Sequence, residues 1–284
     1  MEKIAVVTDT GSNLSFEQAK ELGIYLLPLQ ITIDETTYQD TLEISTQDIY
    51  KELAKGKMPK TSMATYQKIY DLFEELKKDY DTIFAVPLTN GLSTNASTMQ
   101  SIARELEMKV HVIDMYATCA LEKHVSIWIK KLVDKHKSSE EILKIIQPAI
   151  DKSNSLILVK NLQHLKRGGR LTPMAAALAG FLKIYPILHI NKSTEGRIDV
   201  LNKVRTEKRA DAYAIDKVMD DIDIQHTHIY IIHSDFLEGA NHFKKCFIEK
   251  GVPEQNIHID YISSVIAVHT GLGCIAIQYI REEN

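Results

Sequence analysis

Residues Thr82–Arg104 read TIFAVPLTNGLSTNASTMQSIAR. The apolar run from Thr82 to Leu88 has the pattern of a buried strand. Farther along, Met99, Ile102, Ala103 and Leu106 recur at i, i+3, i+4 and i+7, one face of an amphipathic helix. Between them lie small hydroxyl and amide residues: Thr89, Asn90, Gly91, Leu92, Ser93, Thr94 and Asn95. A helix start leaves unpaired backbone N–H groups and a partial positive charge, so this strand–loop–helix junction suits an anion. It equally suits ordinary helix capping by Ser93 or Asn95. The balance tips because similar loops recur at matching places.

Upstream, Lys3 to Thr8 predicts a strand that runs into Asp9-Thr10-Gly11-Ser12. Ser15 with Gln18 forms a capping box for a helix carrying Phe16, Ala19 and Leu22. Ile24–Leu29, Gln30–Ile33 and Thr36–Gln39 read as extended, and Ser45–Lys55 as a helix capped by Ser45. Gly56 and Pro59 break the chain, Lys60 to Thr65 follows as a loop, and Ile69, Leu72, Phe73 and Leu76 mark a helix. Downstream, Val110–Ile113 is a strand ending in Asp114. Helices over Thr118–His136 and Ser138–Lys152 follow, the second with a Ser138/Glu141 capping box. This alternation implies a parallel sheet covered on both faces, with ligands beyond the carboxyl ends of its strands. The loops Asp9–Ser12, Thr61–Thr65, Thr89–Asn95 and Asp114–Thr118 should gather on one edge.

The second half has a different grammar. Ser155–Val159 is a strand, Lys166-Arg167-Gly168-Gly169-Arg170 a basic turn, and Pro173 opens a small-residue helix reaching Lys183. That helix either packs closely on a sheet or leaves a tunnel beneath it. Ile184–Ile190 and Ile198–Val204 flank the polar turn Asn191–Arg197 as a hairpin. Helices over Arg205–Asp221 and Leu237–Glu249 alternate with strands at Ile229–Ile232, Ile257–Ile262 and Cys274–Ile280. The expectation is an α/β protein of two domains: residues 1–154 as an α/β/α layer around a parallel sheet, and residues 155–284 with a mixed sheet.

The 284 residues suffice for a sizeable core; 44% are hydrophobic, 25% are charged, and the net charge is −4. Charges of both signs are interspersed, which argues against a nucleic-acid partner. Cys119, Cys246 and Cys274 lie far apart, as suits a reducing compartment rather than disulfides or structural zinc. The start of the sequence has no signal-peptide pattern, and no apolar run is long enough to span a bilayer, so the expectation is a soluble cytoplasmic protein. Neither G-x-x-x-x-G-K-[ST] nor G-x-G-x-x-G occurs where a nucleotide would need it. His226 and His228 alone make a weak metal signal, and no metal or cofactor is expected.

Thr61, Ser62, Ser93 and Thr94 can donate hydrogen bonds to a carboxylate or phosphate. Each pair alone suits a helix cap; together they suggest a small oxyanion site without a metal. His269 sits beside Thr270-Gly271-Leu272-Gly273, where glycines permit close backbone approach. Arg170 is a forked, rigid anchor for a phosphate or an acidic partner, and Arg205, before Thr206, is a second candidate. Ser93, His269 and either Asp9 or Asp114 could instead form a hydrolytic triad acting on acyl esters. Against that, Gly91-Leu92-Ser93-Thr94-Asn95 lacks the closing glycine of a G-x-S-x-G elbow. A ligand-free protein–protein adaptor is a third reading.

The ordered set Thr8-Asp9, Thr61-Ser62, Gly91-Leu92-Ser93, Leu165 to Arg170, Arg205-Thr206 and His269 to Gly273 resembles the DegV family across essentially the whole chain. The resemblance implies a two-domain α/β protein holding one long-chain fatty acid as ligand, without catalytic residues of its own. It further implies presentation of the carboxyl group to a separate ATP-dependent fatty acid kinase subunit. The acyl phosphate formed there feeds phospholipid synthesis, and transient contact with a membrane surface fits that role. By position, Thr61, Ser62, Ser93, Thr94 and His269 would hold the carboxylate, and Arg170 and Arg205 would face the kinase. The chain departs from the family pattern at Met63, Ala64, Asn95, Met115 and Leu272. Burial contributes ~0.8 kcal/mol per methylene, so a long acyl chain supplies roughly 10 kcal/mol, and a neutral hydroxyl network then suffices for the head group.

Overall fold

The structure, a computed structural model, describes residues 2–181 and 184–282. Strand β1 (Ile4–Asp9) leads through the turn Thr10–Ser12 to α1 (Phe16–Leu22), β2 (Tyr25–Leu27), β3 (Gln30–Ile33) and β4 (Thr36–Gln39). Next come α2 (Thr46–Ala54), β5 (Lys60–Ser62), α3 (Tyr66–Leu76), β6 (Thr82–Val86) and α4 (Asn95–Glu105). The first half closes with β7 (Lys109–Val112), α5 (Ala120–Asp134) and α6 (Ser139–Lys152). The second comprises β8 (Asn154–Leu158), α7 (Leu162–Arg167), α8 (Pro173–Leu178), β9 (Tyr185–Ile190) and β10 (Asp199–Val204). After these follow α9 (Glu207–Asp221), β11 (Thr227–His233), α10 (Leu237–Glu249), β12 (Ile257–Tyr261), α11 (Ser264–Thr270) and β13 (Ile275–Arg281).

The first sheet has the order β2-β1-β6-β7, every neighbouring pair parallel. Alternation along β1 and β6 sends Ile4, Val6, Phe84 and Val86 to one face, where Leu121, Val125 and Ile129 of α5 and Ile142 and Ile146 of α6 cover them. Ala5, Val7, Ile83 and Ala85 point the other way, against Ile69 and Phe73 of α3 and Met99 and Ile102 of α4. Burial on both faces is why the Thr82–Leu88 run is continuously apolar. Both capping boxes, Ser15/Gln18 and Ser138/Glu141, form as their spacing predicts.

The second sheet runs β10-β9-β8-β13-β11-β12 and is mixed, with β11 and β12 parallel and the other pairs antiparallel. Leu156, Ile229, Ile231 and Ile277 pack on Ala214 and Val218 of α9 and Phe243 and Phe247 of α10. The opposite face presents Ile157, Leu188, Ile190, Ile232 and Ala276 to a seam core shared with the first half, which contributes Leu29, Ile31, Ile49, Tyr50 and Leu53. The Tyr50 hydroxyl crosses this seam, 2.7 Å from the Ile262 carbonyl and 3.2 Å from that of His233. A small antiparallel sheet, β4-β3-β5, lies beside it.

Three local readings change. Lys60–Ser62 is a strand rather than loop, antiparallel to β3 with Thr61 opposite Ile31; three polar edge residues give no apolar alternation to detect. The start of the basic turn belongs to α7, capped by Asn161 with Leu165 buried, a helix too short to show periodicity. The small-residue helix ends at Leu178; Leu182 and Lys183, which the sequence reading included, lie outside the described residues. Ala175 packs into the seam core while Met174 is exposed, so α8 adopts the close-packed alternative.

Candidate functional site

The four loops converge, and a buried aspartate ties the first of them together. At the end of β1, Asp9 is fully buried. One carboxylate oxygen accepts from the Gly11 N–H at 2.8 Å; the other accepts from the Leu88 N–H at 2.9 Å and the Asn95 side-chain amide at 2.6 Å. The ends of β1 and β6 and the start of α4 therefore share one anchor. The Asn90 N–H donates to Asp114 at 3.1 Å, bringing in the loop after β7. Thr94 donates to the Met63 sulfur at 3.3 Å, bringing in the segment after β5. Across the seam, α11 places His269 Nε2 2.7 Å from the Thr61 hydroxyl and Nδ1 3.1 Å from the Gly168 carbonyl.

These groups enclose a cavity of about 430 Å³, with Thr61, Ser62, Ser93, Thr94, Arg170 and His269 on its wall. Leu92, Ile198, Ile266 and Thr270 also line a second, smaller cavity of about 30 Å³, walled by Ile157, Ile190, Ile232 and Ile262. The site is thus polar at one end and apolar in the seam between the sheets. Gly91 and Gly196 bring the β9–β10 turn against its rim: a Cβ on Gly91 would run into the Gly196 backbone, and one on Gly196 into Thr89. Gly196 also has a φ of +71°, which glycine adopts without penalty.

Of the candidate carboxylate and partner residues, all except Arg205 line this cavity, whereas Asp9 and Asp114 do not; Arg205 is exposed in the connection between β10 and α9. Half-buried Arg170 donates to the Gly168 carbonyl at 2.8 Å. The hydroxyls differ in what they offer. Thr61 is engaged by His269, Ser62 donates to Gln30 at 3.0 Å, and Thr94 donates to Met63. Ser93 accepts from the Asn95 N–H at 3.2 Å, leaving its own hydrogen without an acceptor among the described residues. Gly271 and Gly273 turn the chain from α11 into β13 and do not line the cavity.

Burial, reinforced by the Arg170 guanidinium and by His164, lowers the His269 pKa to about 4, so the imidazole is neutral at physiological pH. Its bonds run to Thr61 and Gly168 rather than to Ser93 and a carboxylate, while Asp9 and Asp114 are occupied in their own loops. The Ser–His–Asp arrangement weighed from sequence is therefore not assembled. Behind the loops, Glu122 of α5 is fully buried, accepts from the Thr8 hydroxyl at 3.1 Å and flanks Gly11 together with Asp9. Burial and the neighbouring Asp9 push its carboxyl well above the usual range, a carboxyl kept protonated beside a carboxylate. Burial also raises Asp9, and raises Asp40 to about 6.

Sequence reasoning missed Glu122, although a glutamate amid the apolar stripe Leu121, Val125, Trp128 and Ile129 is a usable signal. The Gly168 carbonyl and the isoleucine walls left no such mark. His226, paired in sequence with His228, instead precedes β11 and contacts Asp223 at 3.0 Å. No group of three or more His, Cys, Asp or Glu is placed to hold a metal among the described residues. No helix among them is long and apolar enough to cross a membrane. A larger cleft, about 520 Å³, opens between α9 and α10 on the far face of the second sheet, but none of the sequence candidates lines it.

Fold and site together define a class of α/β protein in which a parallel and a mixed sheet enclose a binding cavity in their seam. The chain belongs to the DegV family, whose sequence model, described as an uncharacterised protein of that family, matches residues 3–282. A DegV domain-containing protein of Caldanaerobacter subterraneus is 32% identical over 246 residues, 85% of this chain and 86% of that one. Another, from Halalkalibacterium halodurans, is 30% identical over the full length of both chains. Among solved structures, a fatty acid binding DegV family protein of Streptococcus agalactiae superposes with a TM-score of 0.91 at 28% identity, covering 100% of both chains. DegV of Bacillus subtilis, described as a fatty acid binding protein, gives 0.87 at 26% identity over 99% of this chain and 100% of its own.

Proposed function

We propose that this protein binds one long-chain fatty acid, its carboxyl group at the Thr61, Ser93 and His269 end of the cavity and its acyl chain in the isoleucine-lined seam. The observation that carries this reading is the polarity contrast between two adjoining cavities that share four lining residues: hydroxyls, an imidazole and a guanidinium on the wall of the larger, and isoleucines around the smaller. The fatty acid binding described for the streptococcal and Bacillus proteins supports it. The carrier is non-catalytic and cytoplasmic, and it presents the carboxyl group to a separate ATP-dependent fatty acid kinase subunit, whose acyl phosphate feeds phospholipid synthesis. Arg170 at the mouth and exposed Arg205 are the proposed partner contacts. The chain divides into residues 1–154, carrying most head-group loops, and 155–284, carrying much of the acyl pocket.

Native mass spectrometry of the purified protein, followed by organic extraction, tests the reading. The expected result is one long-chain fatty acid per chain. A ligand-free protein that also refuses added fatty acids overturns it, and covalent labelling of Ser93 by a fluorophosphonate would then favour an acyl-ester hydrolase.

A further inference from the structure

The hydrogens at the cavity mouth constrain the form in which a fatty acid is received, a step that rests on the fatty-acid reading above. A backbone carbonyl only accepts, so the Gly168 contact at 3.1 Å puts the His269 ring proton on Nδ1. Nε2 of the neutral ring is then an acceptor, and the 2.7 Å bond from Thr61 is donated by its hydroxyl. Thr61 consequently turns lone pairs, not a hydrogen, toward the cavity. The hydrogens of Ser62 and Thr94 go to Gln30 and Met63, whereas that of Ser93 has no acceptor among the described residues. Among the wall's hydroxyls, one donor, Ser93, thus stands with one acceptor, Thr61, while the Arg170 guanidinium, one of whose N–H groups goes to Gly168, lies on the same wall. An undissociated carboxylic acid matches that pair, its C=O accepting from Ser93 and its O–H donating to Thr61. A carboxylate has only acceptors and would set an oxygen against the Thr61 lone pairs.

We propose that the site takes its fatty acid as the neutral acid, so that each carboxylate drawn from neutral solution enters together with one proton. Burial and the charge around the imidazole keep it neutral before binding, so its Nε2 accepts from Thr61 when the ligand arrives. The charged or titratable groups facing His269 are Arg170, from the segment after α7, and His164, from α7 itself; the neighbouring Thr61 and Gly168 carry no charge. Asp9, Asp40 and Glu122 lie outside the cavity wall. Before the ligand enters, a second positive charge beside the Arg170 guanidinium would meet no counter-charge among these groups, so the imidazole is neutral at that stage.

The test is isothermal titration with dodecanoic acid in two buffers of different ionisation enthalpy at the same pH, repeated across a pH series. The expected uptake is about one proton per acid bound, with affinity falling about tenfold per pH unit between about pH 6.5 and 8.5, well above the carboxyl pKa. With carboxyl-13C-labelled acid, the bound resonance should sit at the undissociated position throughout. Binding without proton uptake and with flat pH dependence overturns the inference, leaving a carboxylate held as an anion by Arg170. Uptake with the resonance at the carboxylate position also overturns it, by placing the proton on His269. Failure to bind at any pH removes the fatty-acid reading itself.

Discussion

Replacing Ser93 by alanine removes the one hydroxyl hydrogen at the mouth that has no acceptor among the described residues. A net hydrogen bond contributes about 1 kcal/mol, so Ser93→Ala should weaken retention of added fatty acid by roughly fivefold. The melting temperature should stay almost unchanged; equal retention in an equilibrium binding assay would displace Ser93 from the head-group site. Glu122 supports a second prediction, about stability. Its carboxyl pKa is raised in the folded protein, so the folded state holds this proton more tightly than the unfolded chain. Its stabilising share is therefore complete below the ordinary value of 4.5 and is lost as pH rises through the elevated folded pKa. Glu122→Gln, which cannot ionise, should melt at a higher temperature than the parent near pH 8, and the advantage should shrink toward pH 4. Thermal melts with the opposite trend would show that Glu122 is ionised beside Asp9. Individual residues such as Ser93 and His269 were legible because small polar groups flanked by glycine stand out against apolar runs. The direction of their hydrogens was not, because it depends on a backbone carbonyl, Gly168, about which its own residue type says nothing.

At the scale of elements, what could be read from sequence tracks how much apolar surface each element buries. Strand β6 and helices α3 to α6 bury full faces and announced themselves by periodicity. Strand β5 and helix α7 are short and held by pairing and capping, so composition alone reads as loop and turn there. The contact between the β6–α4 loop and the β9–β10 turn was likewise invisible, because neither Gly91 nor Gly196 looks unusual in a loop. Gly91→Ala should force the two segments apart at a cost of about 1–3 kcal/mol, as overpacking does elsewhere. Gly180→Ala is the matched comparison, since its added carbon meets nothing nearer than 3.8 Å. A calorimetric scan should show Gly91→Ala melting several degrees lower and Gly180→Ala close to the parent; equal melting would mean the apposition is not tight.

For the whole molecule, the two-sheet architecture was legible from the order of strands and helices, but the shared seam was not. Leu29, Ile31 and Ile49 read as ordinary core residues until the fold places them against Ile157, Leu188 and Ile190. The seam makes the halves interdependent, and β13 does so most, because it lies between β8 and β11 in the middle of the second sheet. A chain ending at Gly273 should fail to form that sheet and should retain no fatty acid; circular dichroism and native mass spectrometry of the truncated protein check this. A truncated chain that still carries ligand would show that the pocket forms without β13. The position of β13 also sets a clock. A growing polypeptide can complete its first sheet early, yet β8 must wait through more than a hundred further residues for its inner neighbour to be made. Thr61 waits still longer for His269, 208 positions away, to arrive beside it. The nascent chain therefore cannot make the Thr61–His269 contact until α11 has been synthesised, so the wall of this cavity is completed late.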